Sequence, residues 1–373
     1  MNTLNSVSAA SHQTGWNSIN WRAHIRSVKK LQIRIAKATK DKQWRRVKSL
    51  QRLLVRSFAA RTLAIKRVTE NTGKKTPGVD GKTWSTPGCK WDAIFLLKRK
   101  GYKPQPLRRI YIPKSNGKLR PLGIPTMKDR AMQALYLQAL EPVSETTADK
   151  HSYGFRRGRS CADAIAQTFR CLARRDTAQW VLEGDIKGCF DNISHEWLLN
   201  NIPLDKGILR KWLKAGYMEK GAFYTTDAGT PQGGIISPTL ANMCLDGLET
   251  AMSQKFGKGD SRKARRHKVK MVRYADDFIC TGMSRELLEE EVKPFIAAFM
   301  AVRGLTLSEE KTVITNVNEG FDLLGQNVRK YNGKLLIMPS KKNLKNFLKK
   351  IRETIEKNKM CILVKMNGYS GRT

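Results

Sequence analysis

The chain has 373 residues, with 70 Lys plus Arg against 32 Asp plus Glu and a formal net charge of +38. Such an excess destabilises a compact state through self-repulsion unless a polyanion neutralises it, so nucleic acid is the natural partner and an anionic membrane surface the competitor. Hydrophobic residues make up 40% and aromatics 8%, enough to bury cores, so composition excludes a disordered chain.

Residues 1–20 are polar, uncharged before Trp21 apart from a lone His12, and lack both a basic start and an apolar stretch, so a flexible lead-in is expected rather than a targeting segment. No run of about 18 apolar residues exists, and a membrane span is not expected. The seven cysteines, Cys89 to Cys361, include no CxxC pair and do not cluster with the five histidines, which points to structural thiols.

From Trp21 to Arg67 the only acid is Asp41. Apolar residues at Ile25, Val28, Leu31 and Ile35, then at Val47, Leu50, Leu54 and Phe58, have helical spacing and predict two amphipathic helices within a basic N-terminal domain, residues 21–75. Their cationic face, with Arg45, Arg46, Lys48 and Arg52, either contacts an RNA backbone or is simply solvated. Residues 71–81 are rich in turn formers. Arg108–Lys114, the Asn116-Gly117 turn and Lys118–Pro125 read as a β-hairpin with Lys114, Lys118 and Arg120 near its tip. Helical text follows from Thr126 to Thr147, and again from Glu196 to Met218 and from Ser237 to Met252. Residues 256–270 look like a basic loop. Further on, a helix is expected from Glu286 to Arg303 and short strands near Thr312 and Leu336. Strands and helices mix without regular alternation, so the fold class is α+β.

Two segments carry chemistry. Val181-Leu-Glu-Gly-Asp185 is an apolar strand that delivers Asp185 at its end, as a turn residue or as a ligand. In Lys270–Cys280 strand text flanks adjacent Asp276 and Asp277. Two carboxylates at one tip repel by roughly 4 kcal/mol at about 4 Å and an effective dielectric near 20. Either a bound divalent cation or plain exposure to solvent relieves that. Carboxylates from separate strands suit nucleotidyl transfer, in which two Mg2+ ions about 3.5–4 Å apart clamp the attacking and leaving oxygens.

Tyr274-Ala-Asp-Asp277 resembles the catalytic box of reverse transcriptases. Asp185-Ile-Lys-Gly-Cys-Phe190 is similar to their first aspartate motif, and Thr230-Pro-Gln-Gly-Gly-Ile-Ile-Ser-Pro238 to their nucleotide-contacting loop. Residues 21–81 and Tyr153-Gly-Phe-Arg-Arg-Gly158 resemble the group II intron-encoded, bacterial reverse transcriptase–maturases. The likeness implies a right-hand polymerase with fingers over residues 76–180, a palm over 181–330, and the start of a thumb with an atypical tail over 331–373. It implies Asp185, Asp276, Asp277 and the Ile186 carbonyl as ligands of two Mg2+ ions, with Mn2+ as a substitute. It places Lys114, Arg120 and Lys311 near a dNTP triphosphate, Phe190 under its sugar, and Gln232 in its pocket. From the residues alone, Phe190 reads first as core packing, and Lys311 reads equally as an exposed strand-edge lysine.

The expected activity is RNA-directed DNA synthesis in a bacterial cytoplasm, with intron RNA, an RNA template and a DNA primer as partners. The alternatives are an RNA-binding maturase cofactor without catalysis, or an inactive truncated remnant. Lys341–Lys359 predicts one basic helix with Leu344, Leu348, Ile351 and Ile355 along one face. Nothing in the chain completes a helical thumb around that face, so a second polypeptide that does so is a further expected partner.

Overall fold

The computed structural model describes residues 15–113, 117, 119–230 and 233–369. Three helices open it, not the two expected: α1 (Trp21–Lys40), α2 (Trp44–Arg56) and α3 (Phe58–Glu70). The extra break falls at Ser57, whose backbone is extended at ψ 139° and whose hydroxyl accepts from the Ala60 N–H. A serine at this position can end one helix and cap the next with no intervening loop. The end of the expected lead-in is packed: Trp16 is buried and stands edge-on to Trp21 at 5.0 Å.

Next come α4 (Pro87–Leu96), then β1 (Leu107–Pro113) and β2 (Leu119–Ile124), which form the antiparallel hairpin read from the sequence. Most of its tip, Lys114 included, lies outside the described residues. Helix α5 (Met127–Thr147), capped by Thr126, is buried nearly all round because α1, α2 and α3 lie against it. Its buried Asp129 accepts from the Tyr102 hydroxyl at 2.7 Å and from the Gln105 N–H at 3.1 Å. Helix α6 (Cys161–Leu172) begins with a Ser160/Asp163 capping box.

After β3 (Trp180–Gly184) the chain forms α7 (Cys189–Asn192), α8 (His195–Asn201), α9 (Lys206–Leu213), β4 (Tyr217–Glu219) and β5 (Ala222–Tyr224). The single helix expected from Glu196 to Met218 is thus two helices and a strand. Pro203 interrupts it, Asp205 caps α9, and β4 joins β1 as a parallel neighbour, giving the order β2-β1-β4-β5. Likewise the helix expected from Ser237 to Met252 divides into α10 (Ser237–Leu245) and α11 (Leu248–Phe256), because Gly247 takes φ 93°. The expected basic loop holds a short helix, α12 (Arg262–His267).

The strands β6 (Met271–Tyr274) and β7 (Asp277–Gly282) follow. A wide helical turn, Leu287–Val292, then leads into α13 (Lys293–Ala301). Next are β8 (Val313–Asn316), β9 (Phe321–Leu323), β10 (Gln326–Tyr331), β11 (Lys334–Pro339) and α14 (Lys341–Tyr369), which runs beyond the expected end at Lys359. Leu344, Leu348, Ile351 and Ile355 on α14 are exposed.

The central sheet has the order β6-β7-β3-β8 and is antiparallel throughout. Both faces are covered. Leu182, Phe278 and Cys280 join the large core with α5 and α10, while Val181, Val272 and Ile279 join a second core with α6 and the β11-β10-β9 sheet. Burial on both faces is why β3 reads as a continuous apolar run rather than an alternation. Among the described residues no helix is long and apolar enough to cross a membrane.

Candidate active site

The register of the central sheet builds the site. Gly184 pairs with Phe278 and Tyr274 with Asp277. One step further along the β3–β7 ladder sets Asp185 opposite Asp277, with Asp276 in the two-residue turn between β6 and β7. Ala275, the other turn residue, takes φ 58°. Gly184 is required by this packing, since a Cβ there would lie 2.2 Å from the Phe278 ring.

Three aspartates are therefore carried at one end of the sheet. Burial first, then Asp185, raises the carboxyl of Asp276 above its ordinary range, while Arg120 and Lys311 pull it down. Asp277 is pushed up to about 6, again by burial and then by Asp276 and Asp185. The Lys311 ammonium is 2.8 Å from Asp185 Oδ2, and this hydrogen bond raises its pKa. Among the described residues no three His, Cys, Asp or Glu side chains close on one point. The donors still fit Mg2+ in kind: hard oxygens, mutually repelling, partly buried, and few enough to leave positions for water and substrate phosphate. Ile186, whose carbonyl was expected as a further ligand, is buried and bridged to Leu307.

Behind the turn lies a support that the sequence did not single out. Arg273 is 1% exposed; it donates to Asp246, to Asn242 Oδ1 at 3.1 Å and to the Ala275 carbonyl at 3.2 Å. Asn242 in turn donates to the Gly154 carbonyl at 2.7 Å. Gly154 packs so closely on the turn that a Cβ would lie 2.4 Å from the Ala275 nitrogen. The Tyr153–Gly158 motif thus forms the wall of the aspartate turn, and Tyr153 N–H donates to the Arg273 carbonyl at 2.9 Å. The sequence signal was an arginine three residues before the first of the paired aspartates in apolar strand text, a place where an unpaired charge cannot sit.

Phe190 on α7 is half-buried and edge-on to Phe155 at 6.2 Å. Its carbonyl accepts from Thr230 N–H at 2.6 Å, and Gly229 N–H donates to the Ile193 carbonyl at 2.8 Å. Gly229 takes φ 85°, and a Cβ there would lie 2.6 Å from the carbonyl oxygens of Phe190 and Asp191. His195 is 2.8 Å from the Gly229 carbonyl. These contacts clamp the approach to the 230–238 loop, whose Gln232 lies outside the described residues. Arg120, exposed near the start of β2, acts electrostatically on Asp276.

Of the four basic residues expected at an RNA surface, Arg45, Lys48 and Arg52 recur at helical spacing along α2, with Arg46 turned away from them. Lys48 and Arg52 line a cavity beside α2, whereas Arg46 donates to Gln43 Oε1 at 3.1 Å, and neither it nor Arg45 lines that cavity.

Comparison with known proteins bears on this site. The sequence profile described as reverse transcriptase (RNA-dependent DNA polymerase) matches residues 112–328, which contain all three aspartates. The chain belongs to the reverse transcriptase family. The N-terminal domain of reverse transcriptases matches residues 16–97. Protein YkfC of Escherichia coli is 36% identical over 68% of this chain and 76% of its own length. The group II intron-encoded protein LtrA of Lactococcus lactis is 34% identical over 72% of this chain, which spans about half of LtrA, 54%. Among solved structures, a telomerase from Candida albicans has a TM-score of 0.47 at 15% identity, covering 64% of this chain and 46% of the other. The architecture of this reverse transcriptase family member is an α+β polymerase fold.

Proposed function

We propose that this chain is an RNA-directed DNA polymerase of a group II intron, adding dNTPs to a primer 3′-hydroxyl on an RNA template. The observation that carries the reading is the placement of Asp185, Asp276 and Asp277 at one end of the central sheet of a reverse transcriptase family member. Two Mg2+ ions, when bound, supply the Lewis acid that activates the hydroxyl and stabilises charge on the phosphate. Asp185 and Asp276 are the residues that would hold both ions, with Asp277 and the Ile186 carbonyl beside them. Arg120, together with Lys114, offers charge to the triphosphate. Phe190 stands under the sugar, and Gln232 lines the nucleotide pocket. Lys311 keeps its proton near neutral pH because its pairing with Asp185 favours the charged form, so it is suited to give a proton to the leaving pyrophosphate. The basic N-terminal helices bind intron RNA, and a separate polypeptide covers the apolar face of α14.

Primer extension on an RNA template tests this. Asp185→Asn and Asp276→Asn should each reduce dNTP incorporation by about a thousandfold, a loss of several kcal/mol of charge stabilisation. RNA binding should stay near wild type, since the basic surfaces are untouched. Phe190→Ala should raise the ratio of ribonucleotide to deoxynucleotide use. Wild-type incorporation in either aspartate variant would overturn the assignment.

A further inference from the structure

We infer that the cavity beside α2 takes one unstacked nucleotide of single-stranded RNA, its base inward and its phosphate against a cationic rim. The inference rests on the RNA-binding reading of the N-terminal helices and specifies how that binding works. The cavity has a volume of about 700 Å3 and lies between α2, α5 and the turn joining α8 to α9. None of its lining residues belongs to the carboxylate site.

Its construction follows from helical spacing. Trp44, Lys48, Gln51, Arg52 and Val55 recur at intervals of three and four along α2, so one face of the helix turns towards the cavity. Gln51 frames it by donating to the Ala139 carbonyl at 3.1 Å and to the Pro203 carbonyl at 3.0 Å. The floor is formed by buried Leu97, Met132, Leu135 and Tyr136. The lining carries six cations: Lys48, Arg52, Arg56, Arg61, Arg99 and Lys206. Asp205 is the one lining carboxylate, and Arg99 already holds it at 2.6 Å. Among the described residues the other five cations have no carboxylate partner. The Nε of Arg61 is buried and bonded to no acceptor.

An apolar floor beneath unmatched cations suits a ligand that is flat and apolar on one side and anionic on the other. A nucleotide has that form. A free phosphate or an acidic peptide leaves the floor unused. Duplex RNA keeps its bases stacked inside, so the ligand is a single strand or a loop, where bases are free to leave the stack.

The test uses the full chain with a short oligo(rA), an abasic ribose-phosphate strand of equal length and charge, and a blunt RNA duplex. Wild type should bind oligo(rA) about tenfold more tightly than the abasic strand, the effect of seating one base. Val55→Trp, which fills the cavity from α2, should bring that ratio close to one and leave abasic and duplex binding unchanged. Asn200→Trp, which narrows the mouth from α8, should do the same, and it carries the test if the first variant fails to fold. A base preference that survives in the folded variants overturns the inference, as does oligoglutamate binding as tightly as oligo(rA) with the same sensitivity to Val55→Trp. The double variant Lys48→Gln/Arg52→Gln examines the underlying reading separately. It should weaken oligo(rA) and abasic binding alike, and if it changes neither, α2 is not an RNA surface at all.

Discussion

Arg273 is a full charge in the core, and its value lies in what it holds. Burial pushes the Asp246 carboxyl up to about 6, and Arg273 works against that shift. Removing one partner of such a pair costs about 3–5 kcal/mol, because the other is left buried and uncompensated. Arg273→Met should therefore lower the melting temperature markedly. Adding Asp246→Leu should recover part of the stability but none of the primer extension, because the Ala275 carbonyl still lacks its donor. Recovery of both would reduce Arg273 to a charge partner. His195 makes a second prediction at this scale. Burial lowers its pKa, opposed by its hydrogen bond to the Gly229 carbonyl, so the folded chain favours the neutral ring. A depressed basic group contributes stability above its unfolded value of 6.5 that is lost as pH falls through its folded value. Melting temperature should fall from neutral to about pH 5.5, and His195→Gln should flatten the slope. Asp246 and Asp277 act in the opposite sense, which is why the difference between variant and wild type is the measurement.

Element boundaries depend on single residues whose roles can be separated. Ser57→Ala removes the cap of α3 and should cost about 1 kcal/mol. Gly247 and Gly229 both take positive φ, but a Cβ at Gly247 meets nothing within 4 Å, whereas one at Gly229 collides with two carbonyls. Gly247→Ala should thus cost only backbone strain, on the order of 1 kcal/mol. Gly229→Ala must also push the segment of residues 228–230 away from Phe190. It should lose more stability and, unlike Gly247→Ala, most of its primer extension. Equal effects in thermal melts and extension assays would show that the 228–230 clamp does not position the nucleotide loop.

Across the whole molecule the net charge of +38 opposes folding and favours RNA. The RNA-free chain should melt at a higher temperature as salt rises, and higher still with a polyanion present. Neutralising Lys48 or Arg52 should reduce the slope of log affinity against log salt by roughly 0.7–0.9 for each phosphate that the side chain no longer neutralises. Neutralising Arg46, which is engaged with Gln43 and lies off the cavity, should leave it unchanged. A uniform effect of all three would mean that RNA wraps α2 rather than entering beside it.

The sequence by itself determined the α+β class, the hairpin at Arg108–Pro125, the apolar strand ending in Asp185 and the paired aspartates in a turn. Each of these is a local pattern: a period, a turn dipeptide, or a charge placed at the end of buried text. It also indicated the family, because Asp185, Tyr274–Asp277 and the 230–238 loop stand in a recognisable order. Ser57, Pro203 and Gly247 are residue types that can end a helix, but each also occurs inside longer helical text, and only packing shows where the helix axis turns. Strand β4 was missed for a different reason. Tyr217–Glu219 is too short to show a period and exists because β1 offers it an edge. Tertiary structure alone decided that Asp185 faces Asp277, that Arg273 reaches back to hold the turn, and that Lys48 and Arg52 line a cavity while Arg46 does not. Sheet register, a buried ion pair and a space between helices all join residues far apart in the chain, and no local pattern encodes such distances.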